Sequence, residues 1–205
     1  MEKTLEKTLE KTLEKTLEKT LTKILKKTAI AVLALGVAAP ALAHPGHGLD
    51  SGLVAGLLHP LTGVDHLLAM LAVGLWSRQQ RHGAVLAPTF LLMMALGAAA
   101  GGGVRPHALE LSVAATVILL GALAACAPAL QRRVPPPLAM ATVGACAFVH
   151  GLAHGSELAG LASGVGFILA SLALMLIGAL PAARLGRPFG AAIGMAGVWL
   201  AAVAA

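Results

Sequence analysis

His59-Pro60-Leu61-Thr62-Gly63-Val64-Asp65-His66 lies inside an otherwise apolar run from about residue 52 to 76. Such a run is long enough for a membrane-crossing helix, which needs about 20 apolar residues, yet it contains two imidazoles and a carboxylate. An Asp at the centre of a span costs about 2.5–3.5 kcal/mol on insertion scales, so its presence calls for a partner or a function. Pro60 lacks the N–H that a helix interior uses and disfavours helical backbone at His59, while Gly63 loosens the chain further. The stretch therefore predicts a first span broken over 59–63, with Thr62 and Asp65 spaced like a capping box that restarts the second half. Broken spans leave free carbonyls near mid-membrane, where many transporters build cation sites.

Outward from this stretch the apolar pattern recurs. Six runs, about 52–76, 84–104, 108–127, 136–156, 158–180 and 188–205, are separated by short polar or Pro-containing joints. The expected fold is all-α: an integral membrane bundle of six transmembrane helices. Composition agrees, since 58% of the 205 residues are apolar and only 12% are charged, where a soluble domain carries about 25%. All eight Lys and five of the nine acids fall within the first 27 residues. Beyond them come seven Arg, scattered singly or in pairs between apolar runs, which is a membrane pattern and not the clustered basic face of a nucleic-acid binder. Successive joints carry Arg78 and Arg81, then Arg105, then Arg132 and Arg133, then none, then Arg184 and Arg187, so alternate joints hold six Arg on one side and one on the other. The positive-inside rule puts the six-Arg side in the cytoplasm and both ends of the bundle outside. Gly-rich stretches such as 97–103 favour close helix packing, and Trp76 and Trp199 fall where interfacial indoles sit.

A second polar cluster closes span four: His150-Gly151-Leu152-Ala153-His154-Gly155-Ser156-Glu157. Spacings of four and three residues put His150, His154 and Glu157 on one helical face. Imidazole and carboxylate suit divalent first-row metals. At 1.5 Å per residue His59 lies roughly 11 Å below the outer surface and His150 roughly 10 Å, so the clusters fall at matching depth. His59, Asp65, His66, His150, His154 and Glu157 are accordingly the expected metal ligands. Glu110, with His107 before it, extends this set to an outer vestibule, and His44 and His47 suit capture at its mouth. A single buried His in a span is as often a helix-to-helix hydrogen bond as a ligand; two ordered clusters at one depth favour ligands. Met70 and Cys146 read as packing, Cys126 and Cys146 lie too far apart in depth for a disulfide, and His82 belongs to a joint.

Residues 2–21 are five copies of Glu-Lys-Thr-Leu. A four-residue period rotates the Leu stripe steadily around a helix, so 1–22 is expected to be a low-complexity tail without a core. Lys23, Lys26 and Lys27, the apolar 29–39 and Ala41-Leu42-Ala43 make 23–43 a secretory signal peptide, which leaves 44–205 as the membrane domain.

The two motifs resemble those of the HupE/UreJ family, membrane proteins associated with nickel supply to hydrogenase and urease. His59, five residues, then Asp65-His66 is similar to its first-span motif. His150-Gly151-x-Ala153-His154-Gly155-x-Glu157 is similar to its fourth, except that the preceding aromatic, Phe148, stands one place earlier. The resemblance spans roughly 44–205. It implies a bacterial inner-membrane permease for nickel or cobalt, not an enzyme, that holds no tight cofactor and is linked to hydrogenase or urease accessory proteins. Neither a phosphate-loop motif nor His-Glu-x-x-His occurs in the chain. Two other readings compete: a b-type haem subunit with axial histidines from spans one and four, and a membrane-embedded zinc hydrolase.

Overall fold

The computed structural model describes residues 52–101, 106–126, 133–153 and 161–205, giving backbone alone for 106–108, all within the unit Pro45–Ala205. The repeat tail and the signal segment lie outside the described residues. Among the described residues the secondary structure is helical throughout: α1 (Leu53–Thr62), α2 (Val64–Gln79), a 3-10 turn (Gly83–Val85), α3 (Leu86–Ala100), α4 (Pro106–Ala125), α5 (Pro136–Ala153), α6 (Leu161–Ala179) and α7 (Ala182–Ala204).

Each of the six apolar runs thus contains helix. Four stretches, Gly83–Ala100, α5, α6 and α7, are long and apolar enough to cross a bilayer, and the pair α1 and α2 makes a fifth if it is one span. α4 has 20 residues, of which Leu109–Ala125 form the apolar part described.

The first run is interrupted within the expected stretch 59–63, at Gly63 and not at the proline itself. α1 continues through His59 and Pro60 and stops at Gly63, which is extended (φ −95°, ψ 109°); α2 leaves at 87° to α1. Pro60 is the eighth of ten helical residues, so its missing N–H removes one bond from a helix about to end. Thr62 does not cap α2 either: its hydroxyl donates to His59 O at 2.8 Å and so serves the end of α1. α2 has no side-chain cap, and Asp65 in its first turn complements the positive end of the helix dipole.

Two further expectations change. α7 begins at Ala182, not 188, so Arg184 and Arg187 ride on its first turns, with Leu185 N–H bonded to Pro181 O at 2.8 Å. Trp76 is buried in the core, whereas Trp199 is exposed on the bundle surface; only the latter fits an interfacial indole.

α2 is the centre of the bundle. Every residue from Leu68 to Trp76 is buried, because α1, α3, α4, α6 and α7 all pack on it. α6 runs beside both halves of the broken pair. Gly56 of α1 meets Ser163 and Phe167, while Gly74 and Leu71 of α2 meet Met175 and Gly178. A Cβ on Gly74 would overlap the Met175 carbonyl, so backbone approach itself fixes this seam, as in membrane helix pairs that lack a hydrophobic drive. The outside is apolar: Leu92, Leu176, Leu180, Met195 and Val203 are among the exposed large side chains, as lipid contact demands.

At one end of the bundle Gln79 Nε2 donates to Ala124 O at 3.0 Å, and Gly186 lies against the Gln79 side chain. The ends of α2 and α4 and the start of α7 therefore meet there, which collects the described Arg-bearing joints at one end.

Candidate functional site

His66 and His150 are brought together in the buried centre. Asp65 and His66 open α2 beyond the bend, and His150 stands one turn from the described end of α5. His66 is 4% exposed and His150 is fully buried. Their rings meet edge to face, centroids 4.6 Å apart and planes at 88°, with His66 Nε2 3.3 Å from His150 Nδ1. Phe90 of α3 adds a ring 6.3 Å from that of His150.

The outer nitrogens are also engaged. Asp65 Oδ1 lies 2.9 Å from His66 Nδ1 and accepts the His66 backbone N–H at 2.7 Å. The Asp-His dipeptide thus builds its own bracket. Gly63 belongs to it: a Cβ there would stand 3.0 Å from Asp65 Oδ1 and 3.3 Å from His66 Nδ1. On the other side His150 Nε2 is 2.7 Å from the hydroxyl of Thr116, in α4. Thr116 donates to Val113 O at 2.7 Å, so its oxygen is free to accept from the imidazole.

This arrangement has a chemical consequence. When Asp65 accepts a hydrogen bond from His66 Nδ1–H and Thr116 accepts one from His150 Nε2–H, the ring lone pairs are those of the facing nitrogens. Metal-ligating histidines are held in this way, the remote N–H given to a carboxylate or another oxygen. Two nitrogens each roughly 2.0–2.1 Å from one ion and 3.3 Å apart subtend about 105–110°. That separation is also a hydrogen-bond distance, so the facing nitrogens can share a proton as well as an ion. Asp65, expected as a ligand, contacts His66 through the nitrogen away from His150.

The other expected ligands are placed differently. His59, seven residues before His66, is half-buried on α1 with its ring against Phe167, centroids 5.7 Å apart; the bend removes the straight-span basis on which its depth matched that of His150. Glu110 is exposed near the start of α4. His44, His47, His154 and Glu157 lie outside the described residues, as does the side chain of His107. Among the described residues no three His, Cys, Asp or Glu groups converge to hold a metal. Cys126 and Cys146 are both free thiols, and Cys146 and Met70 are core residues. Thr116 was not singled out in the sequence, although a hydroxyl amid Ala-Ala-Thr-Val-Ile-Leu-Leu is the one polar group of that run.

The family described as HupE / UreJ protein matches residues 31–205. Protein HupE of Rhizobium leguminosarum bv. viciae is 39% identical over 154 residues, covering 73% of this chain and 76% of that protein. No solved structure matches the chain significantly.

Proposed function

The chain belongs to the HupE/UreJ family, membrane proteins associated with nickel and cobalt transport and not enzymes, and from that premise we propose that it is an inner-membrane permease for Ni²⁺, with Co²⁺ the second candidate. The observation that carries the reading is the buried pair His66 and His150, with facing nitrogens 3.3 Å apart and outer nitrogens held by Asp65 and Thr116. In this reading the pair is the transit site. His154 and Glu157, four and seven residues beyond His150 in the sequence, complete the coordination from the outer side, and His59 lines the approach along α1. His44, His47 and Glu110 draw cations to the mouth. Six spans, the first one broken, carry the site, with the Arg-bearing end in the cytoplasm and both ends of the mature chain outside after removal of 23–43.

A two-nitrogen core suits passage. Two imidazoles hold a divalent ion without the closed four-ligand shell that makes structural sites permanent. A divalent cation moving inward gains about 4.6 kcal/mol per 100 mV of membrane potential, enough to draw the ion through without ATP. The metal delivered then serves hydrogenase or urease maturation.

The haem reading fits this geometry poorly. Axial histidines approach one iron from opposite sides, about 4 Å apart with the macrocycle between them, whereas these rings touch edge to face. A zinc hydrolase needs a carboxylate free to act on water, and Asp65 is bound to His66 twice over.

The test is accumulation of radioactive nickel at low concentration in bacterial cells deprived of other nickel importers, competed with Co, Zn and Mn. Uptake above empty-vector cells that Co suppresses more than Mn is expected. Accumulation no greater than in empty-vector cells, with the protein inserted, overturns the reading.

A further inference from the structure

A cavity of about 180 Å³ opens at the end of the bundle far from the histidine pair, lined by Gln80, Arg81, His82, Arg133, Pro136 and Ala139 among others. At about 30 Å³ per liquid water it has room for several waters or one small oxyanion. Arg81 and Arg133 come from different joints, yet line the same space. Among the described residues neither guanidinium has a carboxylate partner.

Among the described residues no acid is placed to supply one. Beyond residue 28 the acids are Asp50, Asp65, Glu110 and Glu157. Asp65 opens α2 and Glu110 lies near the start of α4, whereas the cavity adjoins the far end of α2, whose Gln79 meets the far end of α4. Asp50 and Glu157 lie outside the described residues. Two unneutralised like charges around one cavity repel each other, and an anion between them removes that cost.

The chemistry of the lining selects the anion. Guanidinium forks pair two N–H groups with two oxygens of a phosphate, and Gln80 and His82 add further donors. The start of α5 contributes its dipole but few N–H groups, because 135–137 are all proline and Ala139 N–H is bonded to Pro135 O at 3.1 Å. Side chains therefore carry the site. A carboxylate's two coplanar oxygens suit one fork; the oxygens of a phosphodiester or phosphate stand on a tetrahedral centre, so different oxygens can face different forks. Basic pockets between helices at this level of a bundle take headgroups of anionic lipids.

We propose that Arg81, Arg133, Gln80 and His82 form a phosphate-binding site at the Arg-bearing end of the bundle, whose occupant is the phosphodiester of an anionic lipid headgroup or a free phosphate. The purified full-length protein, exchanged into detergent with equal amounts of phosphatidylcholine and phosphatidylglycerol, is examined by native mass spectrometry. Phosphatidylglycerol is expected to be retained preferentially, and Arg81→Gln combined with Arg133→Gln to reduce that preference about thirtyfold. Arg184→Gln, which removes a charge outside the cavity, should leave it unchanged. In the second arm, millimolar inorganic phosphate is added to the protein in neutral detergent. A rise in Tm in the wild type but not in the double variant, without lipid preference, assigns the same site to soluble phosphate. Should the double variant fail to fold, the wild type alone decides between a rise in Tm or lipid preference and neither. Equal lipid retention in both proteins, or neither effect in the wild type, overturns the proposal.

Discussion

His59 and His66 stand seven residues apart in one apolar run, yet the fold treats them as members of different regions. α1, with His59, is peripheral: Leu53, Val54, Leu58 and Leu61 are all exposed, and the helix leans on α6 alone for most of its packing. α2, with His66, is enclosed by five neighbours. The divide is one extended residue, Gly63, and an 87° turn. On the peripheral side an imidazole finds an aromatic edge, Phe167. On the enclosed side it finds a carboxylate and a second imidazole. Residue type made both histidines candidates; enclosure separates a held pair of nitrogens from a half-buried ring.

The contrast can be broken most directly at the pair. His66→Ala and His150→Ala should each lower nickel accumulation to that of empty-vector cells while the protein remains inserted, as each removes one of two facing nitrogens. Normal accumulation in both variants would dissolve the distinction between the regions. A smaller effect is expected behind the first ring. Asp65→Ala should weaken nickel binding by about 10–100-fold, the usual cost of losing a group that orients a metal-bound histidine, whereas Asp65→Asn, which keeps an oxygen, stays near the lower end. Equal collapse in Ala and Asn variants would make the carboxylate a ligand itself.

Behind the second ring, Thr116→Val leaves His150 Nε2–H without its hydroxyl. Helix-to-helix hydrogen bonds in membranes contribute about 0.6 kcal/mol and at most about 1.7, so a modest drop in Tm and a severalfold loss of uptake are expected. An unchanged Tm would mean that the 2.7 Å contact does not hold the ring. The smallest effect belongs to the peripheral half. His59→Gln should leave nickel affinity of the purified protein intact and slow uptake severalfold at most. A loss as deep as that of His66→Ala would return His59 to the ligand set and erase the comparison.

Much of the polar centre was legible beforehand for a local reason. Asp65 and His66 are adjacent, and their bracket uses only the dipeptide and the glycine before it, so spacing alone pointed to it. The motif at His150 was equally visible as charge-capable residues on one face of an apolar helix. The break was legible to within 59–63, but which residue makes it was not: proline late in a helix costs a single bond, whereas the bend is set where Gly63 makes room for the Asp65 and His66 side chains. Thr116 was illegible, because a hydroxyl in a span ordinarily bonds its own preceding turn. This one does so as well, toward Val113, and only the approach of α4 to α5 gives its oxygen a second use.

The sequence by itself determined that this is a helical membrane protein of the HupE/UreJ family, with arginines collected on one set of joints and histidines in two clusters. Those properties follow from hydropathy, charge order and short motifs, all of which are written along one chain. Tertiary structure alone decided that His66 and not His59 faces His150, that Asp65 stands behind a ring, and that Arg81 and Arg133 share one cavity. Periodicity tells which residues share a helix face; it does not tell which face of which other helix arrives within 3.3 Å, because that depends on an 87° bend and on glycine seams where backbones touch.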